Sequence, residues 1–240
     1  MSATKTGTWS ITASFPGVAD AAATFLVVPA SLVHISISSS TSTIVAGGFL
    51  TFSVEGFDVY GNSLGPIAAT LSVATGSGGS VSGSSVSATN VGSWGVTASF
   101  PGVSDVSSTL SVEAGSLDHM RVSSVSGGIV AGGTETFSAE GFDRFGNDLG
   151  PISATYSIES ASGVSVNGDL VTVTKAGVWG ITATFPGIGQ VTTVLLVAAG
   201  PLNYIHASSA SGAIVAGSSE TFSTEGFDSF GNDLGPVAAT

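Results

Sequence analysis

The chain has 240 residues, 42% of them hydrophobic and only 8% charged, with a formal net charge of −12. Its four basic residues, Lys5, Arg121, Arg144 and Lys175, form no patch that neutralises phosphates, which excludes nucleic acid and anionic membrane surfaces as partners. No apolar run reaches the ~18 residues of a spanning helix, and the absence of cysteine excludes disulfides, thiolate catalysis and Cys-bound zinc.

With so few charges, the polar surface rests on 66 Ser and Thr and on 34 Gly. That mixture suits strands and tight turns, because β-branched residues fit the pleat and Gly permits positive φ. No long stretch combines helical apolar spacing with good helix formers. Residues 1–5 lead straight into a strand pattern without a charged and then apolar leader. Either a leader has been removed, or the chain is an internal segment of something longer.

The first strand signal, residues 7–18, begins Gly7-Thr8-Trp9 and returns at 92–103 and 177–188, so that Trp9, Trp94 and Trp179 stand 85 residues apart. A second block, Glu55-Gly56-Phe57-Asp58-Val59-Tyr60-Gly61-Asn62, returns at 140–147 and 225–232 with the same spacing and no insertion. Repetition at a fixed period is the signature of tandem structural units.

Within one period, strands are expected near 118–125, 134–142, 152–159 and 163–174, the last split by Asn167-Gly168-Asp169 as a hairpin turn. Trp179, Ile181, Ala183 and Phe185 then alternate with small or polar residues, the period-2 mark of a half-buried strand. After the Pro186-Gly187 turn, Val191, Thr193, Leu195 and Val197 share the face of a last strand. About seven short strands per period, with turns every 8–12 residues, read as an antiparallel sandwich. Trp94 and Trp179 are expected between its two sheets, near Phe137.

The segments Val130-Ala131-Gly132-Gly133-Thr134-Glu135-Thr136-Phe137, Asp143-Arg144-Phe145-Gly146-Asn147 and 177–187 resemble the bacterial immunoglobulin-like (BIG) domain family, over essentially the whole chain. The resemblance implies an all-β chain of tandem immunoglobulin-like antiparallel β-sandwiches with an 85-residue repeat. It implies no catalytic residues, and an extracellular or cell-surface setting such as adhesins, surface-layer proteins or virion proteins. In that frame, complete domains run over 32–113 and 117–198. Residues 1–29 hold the last strands of an incomplete domain, and 202–240 the first strands of another. Met1 falls in the column of Val86 and Val171, and Thr240 in that of Thr70 and Thr155, so the two pieces together lack only the columns of 71–85. Joining of neighbouring copies head to tail by strand complementation is one reading, and an excerpt of a longer array is the other.

Oxygen ligands recur in the second block as Glu55, Asp58 and Asn62, then Glu140, Asp143 and Asn147, then Glu225, Asp228 and Asn232. They suit calcium, which takes 6–8 oxygens. Their spacing matches no EF-hand loop, and the favoured reading is a turn, where Asp and Asn bond the local backbone. No other cofactor is indicated. His34 and His119 share a column that holds Tyr204 in the third repeat, and alternation puts it on an outer face. The expected function is a structural subunit of an extracellular filament or surface stalk. The alternative is the ligand-binding repeat region of a cell-surface adhesin, with glycans or host proteins as partners.

Overall fold

The computed structural model describes residues 2–159 and 162–238, so Met1 and Thr240, which mark the outermost repeat columns, lie outside the described residues. Among the described residues every element is a strand, and the chain divides into two compact units, one up to Gly115 and one from Ser116.

In the first unit, β1 (Gly7–Phe15) and β2 (Val18–Val27) form an isolated antiparallel hairpin. A complete sandwich follows, made of β3 (Leu32–Ser39), β4 (Thr43–Val45), β5 (Phe49–Asp58), β6 (Ser63–Pro66), β7 (Thr70–Val73), β8 (Ser80–Ser82), β9 (Ser85–Ser87), β10 (Gly92–Ser99) and β11 (Val106–Glu113). One sheet has the order β3-β5-β9-β8, with β6 also on β5, and the other the order β4-β11-β10-β7. All pairings are antiparallel except that of β4 with β11. Alternation along β5 buries Leu50, Phe52 and Val54 against Val96, Ala98, Leu110 and Val112 of the facing sheet.

The second unit repeats this sandwich with β12 (Leu117–Ser124), β13 (Gly128–Val130), β14 (Thr134–Asp143), β15 (Asp148–Ile152), β16 (Thr155–Ile158), β17 (Val164–Asn167), β18 (Leu170–Val173), β19 (Gly177–Phe185) and β20 (Gly189–Ala198). Its sheets are β12-β14-β18-β17, with β15 on β14, and β13-β20-β19-β16. The turn between β17 and β18 has Gly168 at φ 65°, the left-handed backbone that Gly adopts without steric cost. Three further strands, β21 (Tyr204–Ser209), β22 (Phe222–Phe227) and β23 (Asp233–Pro236), make a separate open sheet.

The architecture is all-β, of tandem immunoglobulin-like sandwiches, and it differs from the sequence reading at three points. The strand expected over 152–159 is two strands: β15 pairs with β14 and β16 with β19, in opposite sheets, with the chain crossing at Ser153 and Ala154. Pro151, which has no N–H to donate, sits on the short strand β15 at the sheet margin. Strand β13 was not anticipated, and it pairs in parallel with β20. Trp94 and Trp179 are half-buried at the sandwich end, packed against the core without being its centre. Each indole N–H donates to a backbone carbonyl four residues back, of Asn90 at 2.8 Å and of Lys175 at 3.0 Å. That polar requirement holds the ring at the wet end, and Phe52 and Phe137 fill the dry centre instead.

Candidate functional site: the Asp–Asn turn

The repeated block ends a strand and turns the chain. Gly56 lies on β5 where an added Cβ would meet Leu32 Cδ1 and Ile67 Cγ1, both at 2.7 Å, so only Gly fits. Gly141 is confined in the same way by Leu117 Cδ1 at 2.6 Å. A bulge follows each of these glycines, and Asp58 and Asp143 then close their strands as buried side chains. Gly61, at φ 79°, lets the turn tighten until the Asp58 N–H reaches the carbonyl of Asn62 at 3.0 Å.

Asp58 is surrounded by donors. Its Oδ1 accepts the backbone N–H groups of Tyr60 at 2.9 Å and Asn62 at 2.8 Å. Its Oδ2 accepts the Asn62 side-chain amide at 2.8 Å and the Ala30 N–H at 2.9 Å. Asn62 in turn reaches the preceding hairpin: its Oδ1 accepts the Thr6 N–H at 3.1 Å and its amide donates to the Thr4 carbonyl at 2.7 Å. The turn therefore fastens the linker at Ala30 and the hairpin β1–β2 to the sandwich that follows them.

The second unit builds the same fastening. Asp228 accepts from Phe230 and Asn232 of its own turn and from the Gly200 N–H at 2.8 Å. Asn232 donates to the Thr174 carbonyl at 2.8 Å and accepts the Ala176 N–H at 2.9 Å. Asp143 makes the same local bonds, with Phe145 at 2.8 Å and with Asn147. Burial works against the charge of Asp58 and Asp228. The Asn side chain and the three backbone N–H groups outweigh it and hold both carboxyls down to about 2.

The calcium candidates are thus divided. Glu55, Glu140 and Glu225 stand exposed on the outer faces of β5, β14 and β22, three residues from the buried Asp. Residues three apart on a strand face opposite sides. Among the described residues, no three His, Asp or Glu side chains are placed to hold a metal ion.

The outer-face column carries stacked rings: His34 on Phe57 with centroids 5.1 Å apart, His119 on Phe142 at 5.5 Å and Tyr204 on Phe227 at 5.3 Å. Arg121 lies over the Phe142 ring at 4.6 Å. Sequence reasoning placed the histidines outward but missed these pairs, whose signal is the cross-strand register of an aromatic opposite each one. It also missed buried Glu135, which accepts the N–H and hydroxyl of Ser126; these bonds and those from the neighbouring backbone lower its carboxyl despite the opposing burial.

No family model matches the chain, and no curated protein is similar to it in sequence. Solved structures do resemble it. The Escherichia coli adhesin FdeC is 20% identical, over 85% of this chain and 77% of that one, with a TM-score of 0.48. Invasin, described as a bacterial integrin-binding protein, is 18% identical over 83% of this chain and 47% of its own, with a TM-score of 0.41. Domains 1–6 of the surface-layer protein SbsC are 18% identical over 95% of this chain and 36% of that chain, with a TM-score of 0.35. The chain thus spans less than half of the latter two structures.

Proposed function

We propose that this chain is a non-catalytic structural segment of an extracellular or cell-surface stalk or filament, divided as 1–29, 32–113, 117–198 and 202–240. The observation that carries this reading is the Asp–Asn turn. In both units it bonds the backbone of one sandwich segment directly to the next, which resists bending at the joint. In the finer form of the reading, copies join head to tail, 202–240 of one meeting 1–29 of another. Negative-stain electron microscopy of the purified chain tests it: straight rods or fibres are expected, and loose necklaces of separate beads would overturn it.

A second reading, the repeat region of a surface adhesin, is favoured by the outer rings of His34, His119 and Tyr204, each stacked over a phenylalanine and presented at the same position of every repeat. FdeC is named as an adhesin and invasin as an integrin-binding protein. Its partners are glycans or host proteins, and glycan-array or cell-binding signals abolished by His34→Ala and His119→Ala would support it.

A further inference from the structure

The second sandwich has an opening in one sheet. Strand β14 pairs with β18 over Thr134–Thr136 and with β15 over Ala139–Phe142. Where it leaves one partner for the other, a cleft of about 420 Å³ lies against Phe137, Ala139, Ile152 and Tyr156. The turn between β17 and β18 forms its rim. There the Asp169 carbonyl accepts the Phe137 N–H at 3.0 Å, which fixes Asp169 at the mouth.

Four positions of this cleft carry other residues in the first sandwich, one period earlier. Ala139 replaces Val54, Ser153 replaces Ala68, Tyr156 replaces Leu71 and Asp169 replaces Ser84. The first difference clears room beside the core. The other three bring a hydroxyl, a phenol and a carboxylate to one opening.

Tyr156 is the most informative of the four. It is 8% exposed, its ring lies 6.0 Å from that of Phe137, and its hydroxyl makes no hydrogen bond to any described residue. A buried phenol ordinarily finds a partner. Among the described residues, no buried side-chain polar atom sealed from solvent lacks one, so the Tyr156 hydroxyl opens outward, and the cleft is what Tyr156 lines. Burial, and then the charge of Asp169, raise this hydroxyl above its ordinary 10, which keeps it protonated and able to donate.

We propose that the cleft binds a neutral polyhydroxylated ring, one sugar unit of a glycan. The inference goes beyond both readings above, since it needs neither joined copies nor the outer rings, and it gives the second sandwich polar groups that the first lacks.

The chemistry of the lining selects that ligand. The Asp169 carboxylate only accepts hydrogen bonds, so its partner must donate. The Tyr156 hydroxyl has a proton to give, so its partner must accept. Ala139 and Ile152 require an apolar surface. A pyranose offers hydroxyls that donate and accept around a face of C–H groups, and the volume suits a small ligand. An anion would meet Asp169 with no basic side chain in the lining to offset it. An amine would satisfy Asp169 and leave the Tyr156 proton without an acceptor.

NMR titration of the whole chain with the methyl glycosides of glucose, galactose, mannose and N-acetylglucosamine tests the proposal. Saturable binding of at least one is expected. Tyr156→Phe removes only an unbonded hydroxyl, so it should leave melting unchanged while weakening binding about 5–10-fold. Asp169→Ala, at an exposed turn position, should weaken it by more than about 10-fold. Failure of all four glycosides to bind, or binding indifferent to both variants, would overturn the site. Binding of butylammonium but of no glycoside, lost with Asp169→Ala, would overturn the sugar as its ligand. Binding lost with His34→Ala and His119→Ala but kept in Tyr156→Phe would overturn the cleft and leave the adhesin reading standing on the outer rings.

Discussion

At the scale of single residues, the ionised Asp58 and Asp228 are the most consequential groups. Both are buried, and both are held at about 2 rather than their ordinary 3.8 by the amide donors around them. A carboxyl lowered in the folded state adds stability that is complete above its unfolded value and is lost as pH falls through the folded value. The melting temperature is therefore expected to hold from neutral pH down to about 4 and to fall between about 4 and 2. The double variant Asp58→Asn, Asp228→Asn should shrink that fall, and an unchanged acid profile would contradict the assignment. Aromatic residues divide by place. Phe137→Ala should cost about 3–5 kcal/mol, and Trp179→Ala, at the half-buried end, only about 1–2 kcal/mol. Denaturant melts of the two variants check that order.

At the scale of elements, the sequence is legible where neighbours along the chain carry the signal. The alternation of Trp179, Ile181, Ala183 and Phe185, and the turn at Asn167 and Gly168, each lie within a few residues and are found as strand β19 and the β17–β18 hairpin. Strand β13 is not legible, because Gly127 and Gly128 look like a turn and its partner β20 lies far along the chain. Nor does period 2 reveal that Ser153 and Ala154 carry the chain between sheets, since both sheets bury the same parity. The candidate site was half visible. Repetition picked out Asp58 and Asn62, but their partners across the joint are backbone groups of Thr4, Thr6 and Ala30, which carry no side-chain signature. Gly141 gives the sharpest test of an element contact. Gly141→Val would drive a side chain into Leu117 and Ile152, prying β14 from its neighbours at about 1–3 kcal/mol. A variant as stable as the parent in urea melts would refute that packing.

At the scale of the whole molecule, what stiffens the joints decides how the protein responds to its surroundings. If hydrogen bonds of the Asp–Asn turn do so without a metal ion, EDTA should leave the melting temperature and the appearance in micrographs unchanged. A large drop restored by calcium would instead return Glu55, Asp58 and Asn62, with their counterparts, to the role of ligands. The joint also has a bearing on descent. Asn62 and Asn232 hold their neighbours only by main-chain N–H and carbonyl groups, which every non-proline residue presents alike. Side-chain matching across the joint enters at Gly132, where an added Cβ would lie 2.5 Å from Phe230 Cζ, and whole repeats carry that column with them. Duplication or loss of whole 85-residue periods then changes the reach of the array while leaving each joint intact, so length can drift between lineages faster than sequence.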